Sequence, residues 1–196
     1  MKPEQVPISE DDKGGNRLGA DIRALRRARQ MVLQDMAAAL GRSVGWVSQV
    51  ERGLSDPSIE DLRAIANLFD LPLGFFFRNE QAPLPEQEHV VRRSNRRTIG
   101  DRRAGLTEQL LSPDLGGSFE MFRSVFEPGA EMTELNTRPT EEAGYLVSGQ
   151  LDLWVGESLF HLGVGDSFRF AGEPYRWRNP GTERAEVIWV ISPPVY

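Results

Sequence analysis

The sequence predicts two domains: an all-α front of five short helices, then an all-β sandwich or barrel. Three observations carry this. Apolar residues recur at helical spacing up to Phe77, and at a period of two from Phe119 onward. A stretch at 78–104, stiffened by Pro83 and Pro85 and rich in Arg, separates the two patterns. Charge divides at the same place: residues 17–55 hold seven Arg against three acids, 86–104 six Arg against three, and 105–196 six Arg against fourteen. The net charge of the 196 residues is −6, so a basic front is joined to an acidic back, and only the front suits phosphate.

Composition removes several chemistries. There is no cysteine, hence no disulfide, thiolate metal site or cysteine nucleophile. His89 and His161 are the only histidines and stand far apart in sequence, which argues against a histidine triad or a zinc site. No apolar run approaches the ~20 residues of a membrane span. The opening MKPEQVPISEDDKGGN is polar and has no apolar signal segment. A cytoplasmic protein with no membrane partner is expected.

Residues 1–16 read as a flexible tail. The first domain is expected at 17–77. Leu18, Ile22 and Leu25 share one face of a first helix. A second runs from Leu33 to Leu40 and ends at Gly41. Ser43 caps a third, Val44 to Glu51, and Gly53 ends it. Ser58 caps a fourth, with Leu62, Ile65, Ala66 and Phe69 on one face. Pro72 opens a short fifth that ends near Phe77. A linker is expected at 78–104, where Val90, Val91 and Ile99 allow some strand pairing. The second domain is expected at 105–196. FEMFRSVF alternates before the Pro128-Gly129 turn, Leu151, Leu153 and Val155 alternate after Ser148-Gly149, and Val187 to Ile191 forms a last strand.

The most informative segment is LQDMAAALGRSVGWVSQVER, residues 33–52. Ala37 is small where two helices must cross closely, Gly41 tolerates the turn between them, and Val47 and Val50 bury one face of the second helix. Val44, Gly45, Trp46, Ser48 and Gln49 are left on the other face. The pattern resembles the helix-turn-helix of the XRE family, the lambda-repressor-like and Cro-like transcription regulators, from Leu18 to Phe77. The resemblance implies that the second helix of the motif enters the major groove of double-stranded DNA. By position, Val44, Gly45, Trp46 and Gln49 face the bases. Gln49 suits an adenine edge, and Val44 a thymine methyl. Trp46 packs either against DNA or against its own domain. Ser43 and Arg52 are expected on phosphates. Where the family often has Ser or Thr at the start of the first motif helix, this chain has Val32, with Gln34 nearby as a substitute. Few basic residues lie on the reading face, so DNA shape is expected to contribute to specificity.

The second domain resembles a cupin, a double-stranded β-helix barrel. PGAEMTE, TEEAGYLVSGQLDLWVG, GVGDSFRF, YRWRNPG and VIWVISPPVY carry the resemblance. Metal-binding cupins use three His and a Glu, which suit Fe, Mn, Ni or Zn. The matching positions here are Asn136, Arg138, Glu142 and Tyr175. Only the carboxylate survives and Arg138 opposes a cation, so no metal or other cofactor, and no metal-based catalysis, is expected. The same four residues are candidates for binding an amino acid, a polyamine or a small organic acid, with Arg138 forking onto a carboxylate. The plainer reading is an Arg138–Glu142 salt bridge in a filled barrel. Trp154, Trp177 and Phe168 read as barrel core, and His161 as a structural or exposed strand residue.

A helix-turn-helix followed by a cupin resembles a class of bacterial regulators. The class implies a homodimer on a palindromic operator, whose affinity changes when the barrel binds a metabolite. The Arg-rich residues Arg92, Arg93, Arg96, Arg97, Arg102 and Arg103 meet either DNA backbone or the acidic barrel. Two other classes compete: a cupin enzyme with a regulatory DNA-binding head, and an antitoxin-like module that grips a basic partner.

Overall fold

The computed structural model describes residues 11–77, 86, 89–103, 105–113, 115 and 117–195, with 11–16 and 100–103 as backbone only. The chain falls into two compact units, one up to Phe76 and the other Phe77–Val195. Pro83, Pro85 and the side chains of Arg102 and Arg103 lie outside the described residues.

Among the described residues the first unit has four α-helices: α1 (Asp11–Ala28), α2 (Leu33–Leu40), α3 (Val44–Glu51) and α4 (Ile59–Phe69). The expected fifth helix is a single 3₁₀ turn, Leu73–Phe76. Pro72 can open a helix there, but the four residues after it complete no α-helical turn of their own, and burial of Phe75 and Phe76 fixes them instead. α1 also begins at Asp11, inside the segment read as tail. Ile22, Leu25, Ala37, Val47, Val50, Leu62, Ile65, Ala66 and Phe69 are buried as the helical periodicity expects; Met36 joins them, while Leu18 is half-buried. Gly41 has φ 62° and returns its N–H to Ala37 and Ala38. Ser58 and Asp61 form a reciprocal capping box on α4.

Among the described residues the second unit has nine antiparallel strands: β1 (Arg97–Arg103), β2 (Leu106–Leu110), β3 (Glu120–Phe126), β4 (Glu141–Ser148), β5 (Leu151–Val155), β6 (Ser158–Leu162), β7 (Ser167–Ala171), β8 (Tyr175–Arg178) and β9 (Ala185–Ser192). Six make one sheet in the order β1-β2-β3-β9-β4-β7, and three make the other, β6-β5-β8. β1 lies inside the stretch read as linker. Ile99 explains why: it is fully buried and pairs with Glu108 on β2. β3 and β9 alternate strictly between buried and half-buried residues. The inner faces meet through Phe126 on Trp177, ring centroids 4.6 Å apart, and Tyr175 on Trp189, 6.0 Å apart.

Candidate functional site

The α2–α3 pair has the geometry that a reading helix needs. Val47 and Val50 anchor α3 in the core, while Val44, Gly45 and Gln49 are exposed on it. Ser43 Oγ accepts from Trp46 N–H at 3.1 Å, which caps α3 and leaves the hydroxyl hydrogen free to donate. Gln34 is exposed on the first turn of α2. The acceptor at that helix start is not a Val32 side chain but Asp35, whose Oδ2 takes the Val32 N–H at 2.9 Å. Arg52 is exposed and its Nε donates to Ser48 O at 3.2 Å.

Trp46 is half-buried, and the Arg42 guanidinium lies over its ring at 5.2 Å. Arg42 also donates from Nε and Nη2 to Asp61 Oδ1, at 2.9 and 2.6 Å. Arg42 thus links the motif's turn, the reading helix and the cap of α4. Sequence reasoning missed it. The available signal was a cation between the turn Gly41 and the cap Ser43, in a motif whose reading face has none.

Burial alone would raise the Asp61 carboxyl. Hydrogen bonds from Ser58 and Arg42 outweigh that and hold it below the ordinary carboxylate range. A depressed carboxyl stabilises the fold above its unfolded pKa, and that contribution is lost as pH falls through the folded value. Acid titration of the front domain's helical signal is expected to show this loss below the ordinary carboxylate pKa, and Asp61→Asn to flatten it. An unchanged acid limb in the variant would mean that other carboxyls set it.

In the barrel three of the four candidate residues fall into two groups. Asn136 and Tyr175 form one. Their backbones exchange two hydrogen bonds of 2.8 Å, and Asn136 Nδ2 donates to Tyr175 Oη at 2.9 Å. Glu142 forms the other. It is 1 % exposed, takes the Thr140 hydroxyl at 3.0 Å on Oε1 and takes the Trp189 indole N–H at 2.8 Å on Oε2. Arg138 is half-buried and has an interaction partner. Sequence reasoning missed Thr140 and Trp189. The period of two on β9 puts Trp189 on the same face as Val187 and Ile191, so its inward aim was legible but its partner was not.

The donor chemistry does not fit the metal of metal-binding cupins. Both Glu142 oxygens already accept hydrogen bonds, and the remaining matching side chains are an amide, a guanidinium and a phenol. Among the described residues no cluster of three or more His, Cys, Asp or Glu is placed around a common point.

Two residues read as core behave differently. Trp177 is 2 % exposed and is core. Trp154 instead lies on the outer face of the small sheet, with Arg176 stacked over it at 3.6 Å. His161 sits on the neighbouring β6, exposed, with Nδ1 2.7 Å from Asp152 Oδ1. In the Arg-rich stretch, Arg92 pairs with Glu86 through contacts of 2.9 and 2.5 Å, whereas Arg97 is buried.

Residues 17–74 match a helix-turn-helix domain family, and residues 122–191 match the cupin domain family. The chain is 23% identical to the HTH-type transcriptional regulator PuuR of Escherichia coli over 87% of this chain and 92% of PuuR. It is 27% identical to the HTH-type transcriptional regulator SutR of Escherichia coli over 90% of this chain and 95% of SutR. Among solved structures, an HTH_3 family transcriptional regulator from Vibrio cholerae covers 94% of this chain and 99% of its own, at 20% identity and a TM-score of 0.43. No helix among the described residues is long and apolar enough to cross a membrane.

Proposed function

We propose that this chain, a helix-turn-helix domain joined to a cupin domain, is a sequence-specific DNA-binding transcriptional regulator whose barrel binds a small molecule. The carrying observation is α3: Val47 and Val50 fix it in the core while Val44, Gly45 and Gln49 face outward, in the motif whose relatives PuuR and SutR are transcriptional regulators. Gln49 reads a base edge through its amide, and Val44 and the open surface at Gly45 meet the groove floor. Ser43, Arg52 and Gln34 contact phosphates. Trp46 acts from beneath, as the platform on which Arg42 rests.

The protein works in the cytoplasm as a homodimer on a palindrome whose half-sites lie about one helical turn apart. The barrel site comprises Asn136, Arg138, Glu142 and Tyr175. Ligand binding there shifts the population between arrangements of the dimer that differ in operator affinity. These four residues bind rather than react: they hold no paired acid and base and no activated nucleophile.

The test is fluorescence anisotropy at ~150 mM salt on duplexes selected by the protein from a random library. Enrichment of one palindromic site is expected. Gln49→Ala should lower affinity for that site by roughly 5- to 150-fold, the worth of one base contact, and leave non-specific binding unchanged. A library that yields no enriched sequence would refute the reading.

A further inference from the structure

We propose that two copies of the chain pair through β6, edge to edge and antiparallel, so that the small sheets of two barrels become one. This names the interface of the homodimer and rests on that reading.

β6 ends its sheet. It pairs with β5 on one side and, among the described residues, with no strand on the other. Gly156, at φ 56°, and Glu157 form the tight turn that joins Val155 to Ser158. Residues closed by such a turn exchange both backbone hydrogen bonds, and the exchange recurs at every second pair, Leu153 with Phe160 and Leu151 with Leu162. The N–H and C=O of Leu159 and His161 therefore point away from β5. The next N–H in line, that of Gly163, is taken by Asp166 Oδ2 at 2.8 Å.

An open edge pairs with other chains unless charge, proline or a bulge blunts it. The other edges are blunted. β1 has Arg97, Asp101, Arg102 and Arg103 in its sequence, and its register breaks between Ile99 and Arg103. β7 carries exposed Arg169, paired with Glu141 at 3.0 Å. The far side of β8 is bridged by Glu131 and Asn136. β6, SLFHL, holds no Lys, Arg, Asp, Glu or Pro, and its register with β5 is unbroken. Leu159 and Phe160 on it are 41 % and 49 % exposed.

Charge and symmetry select the occupant. Residues 105–196 hold six Arg against fourteen acids, so two barrels repel over most of their surface and approach best where neither bears charge. A basic partner would gain nothing from this neutral strip. The strand also matches its own reversed copy. About a two-fold axis at Phe160, Leu159 of one copy faces His161 of the other, and the reverse. Each of these pairs exchanges hydrogen bonds through the groups that β5 leaves free. Phe160 meets its own copy at the position between them, where no hydrogen bond runs and side chains come closest.

The chain has no cysteine, so a single introduced one reports the pairing. Phe160→Cys sets two thiols on residues whose Cα atoms lie about 4.5 Å apart, within disulfide reach. Treated with a thiol oxidant, the full-length variant is expected to become a covalent dimer. Tyr145→Cys, at an exposed residue of β4 in the other sheet, is expected to stay uncrosslinked. Light scattering during gel filtration should find the wild type dimeric and Phe160→Lys monomeric at the same concentration, because like charges then face each other. Leu159→Pro removes an outward N–H and no bond to β5, so it should give a monomer too and keeps the test valid if the Phe160 variants fail to fold. A dimeric wild type that survives both Phe160→Lys and Leu159→Pro, or cross-linking at Tyr145→Cys and not at Phe160→Cys, would overturn the β6 pairing and leave the dimer standing. A monomeric wild type with no cross-link in Phe160→Cys would overturn both.

Discussion

Gly19→Ala is expected to unfold the helical domain under conditions where the wild type is folded, and to abolish operator binding with it. Gly19 is buried in α1, where α1 crosses the end of α3. A Cβ at this position would lie 2.3 Å from Val50 O and 2.8 Å from Glu51 O. Those neighbours are backbone, so no rotamer relieves the clash; α1 must lift off α3. Overpacking of yielding side chains costs about 1–3 kcal/mol, and an unyielding carbonyl puts this site at or above the top of that range. The better helix propensity of alanine returns only about 1 kcal/mol. A domain of this size has few kcal/mol of stability to lose. Thermal melting followed by far-ultraviolet circular dichroism checks it: the helical transition should move down or disappear. Gly45→Ala is the control, since its Cβ would meet only Ser43 Oγ at 3.9 Å, and it should keep or slightly raise the midpoint. An unmoved midpoint in Gly19→Ala would refute the close crossing.

Gly19 also marks the limit of what the sequence discloses. Local signals were legible. Gly41 stops α2, Ser43 and Ser58 cap the helices after them, and Val47 and Val50 repeat at the buried spacing, because each depends on residues within one helical turn. The role of Gly19 depends on Val50 and Glu51, more than thirty positions away, and glycine inside a helical pattern reads only as a weak helix former. Separation in sequence likewise hid Trp189 from Glu142, 47 positions apart, and Arg42 from Asp61, 19 apart. β1 was obscured differently. Arginines surround Ile99 in a stretch whose composition reads as linker, and only the pairing with β2 makes a strand of it. In the barrel, the matching positions pointed to Glu142, and opposite charge suggested Arg138 as its partner. The structure adds two neutral donors to Glu142, Thr140 and Trp189, which no local pattern pointed to.

The buried pair between α1 and α3 carries the second large effect. Arg26 and Glu51 are 9 % and 7 % exposed. Arg26 Nε and Nη2 donate to the two Glu51 oxygens at 2.5 and 2.9 Å, and Nη1 donates to Met31 O at 2.8 Å. The fork is bidentate and its third donor is used, so the guanidinium is almost fully compensated. Glu51→Ala leaves that charge buried with one carbonyl for company. Breaking a buried pair from one side costs about 3–5 kcal/mol, against about 0–1 kcal/mol for an exposed pair. Arg26→Met combined with Glu51→Leu removes both charges, fills the space with apolar groups and should cost far less than Glu51→Ala alone. Urea denaturation of the single and double variants measures the difference. The order also bears on function. Glu51 is the last residue of α3, so its pairing with α1 holds the helix that carries Val44, Gly45 and Gln49. Glu51→Ala should therefore lose operator affinity in proportion to the fraction unfolded, whereas the double variant should retain it. If Glu51→Ala costs no more than an exposed pair would, then apolar packing around Val47 and Val50 alone holds α3 in place.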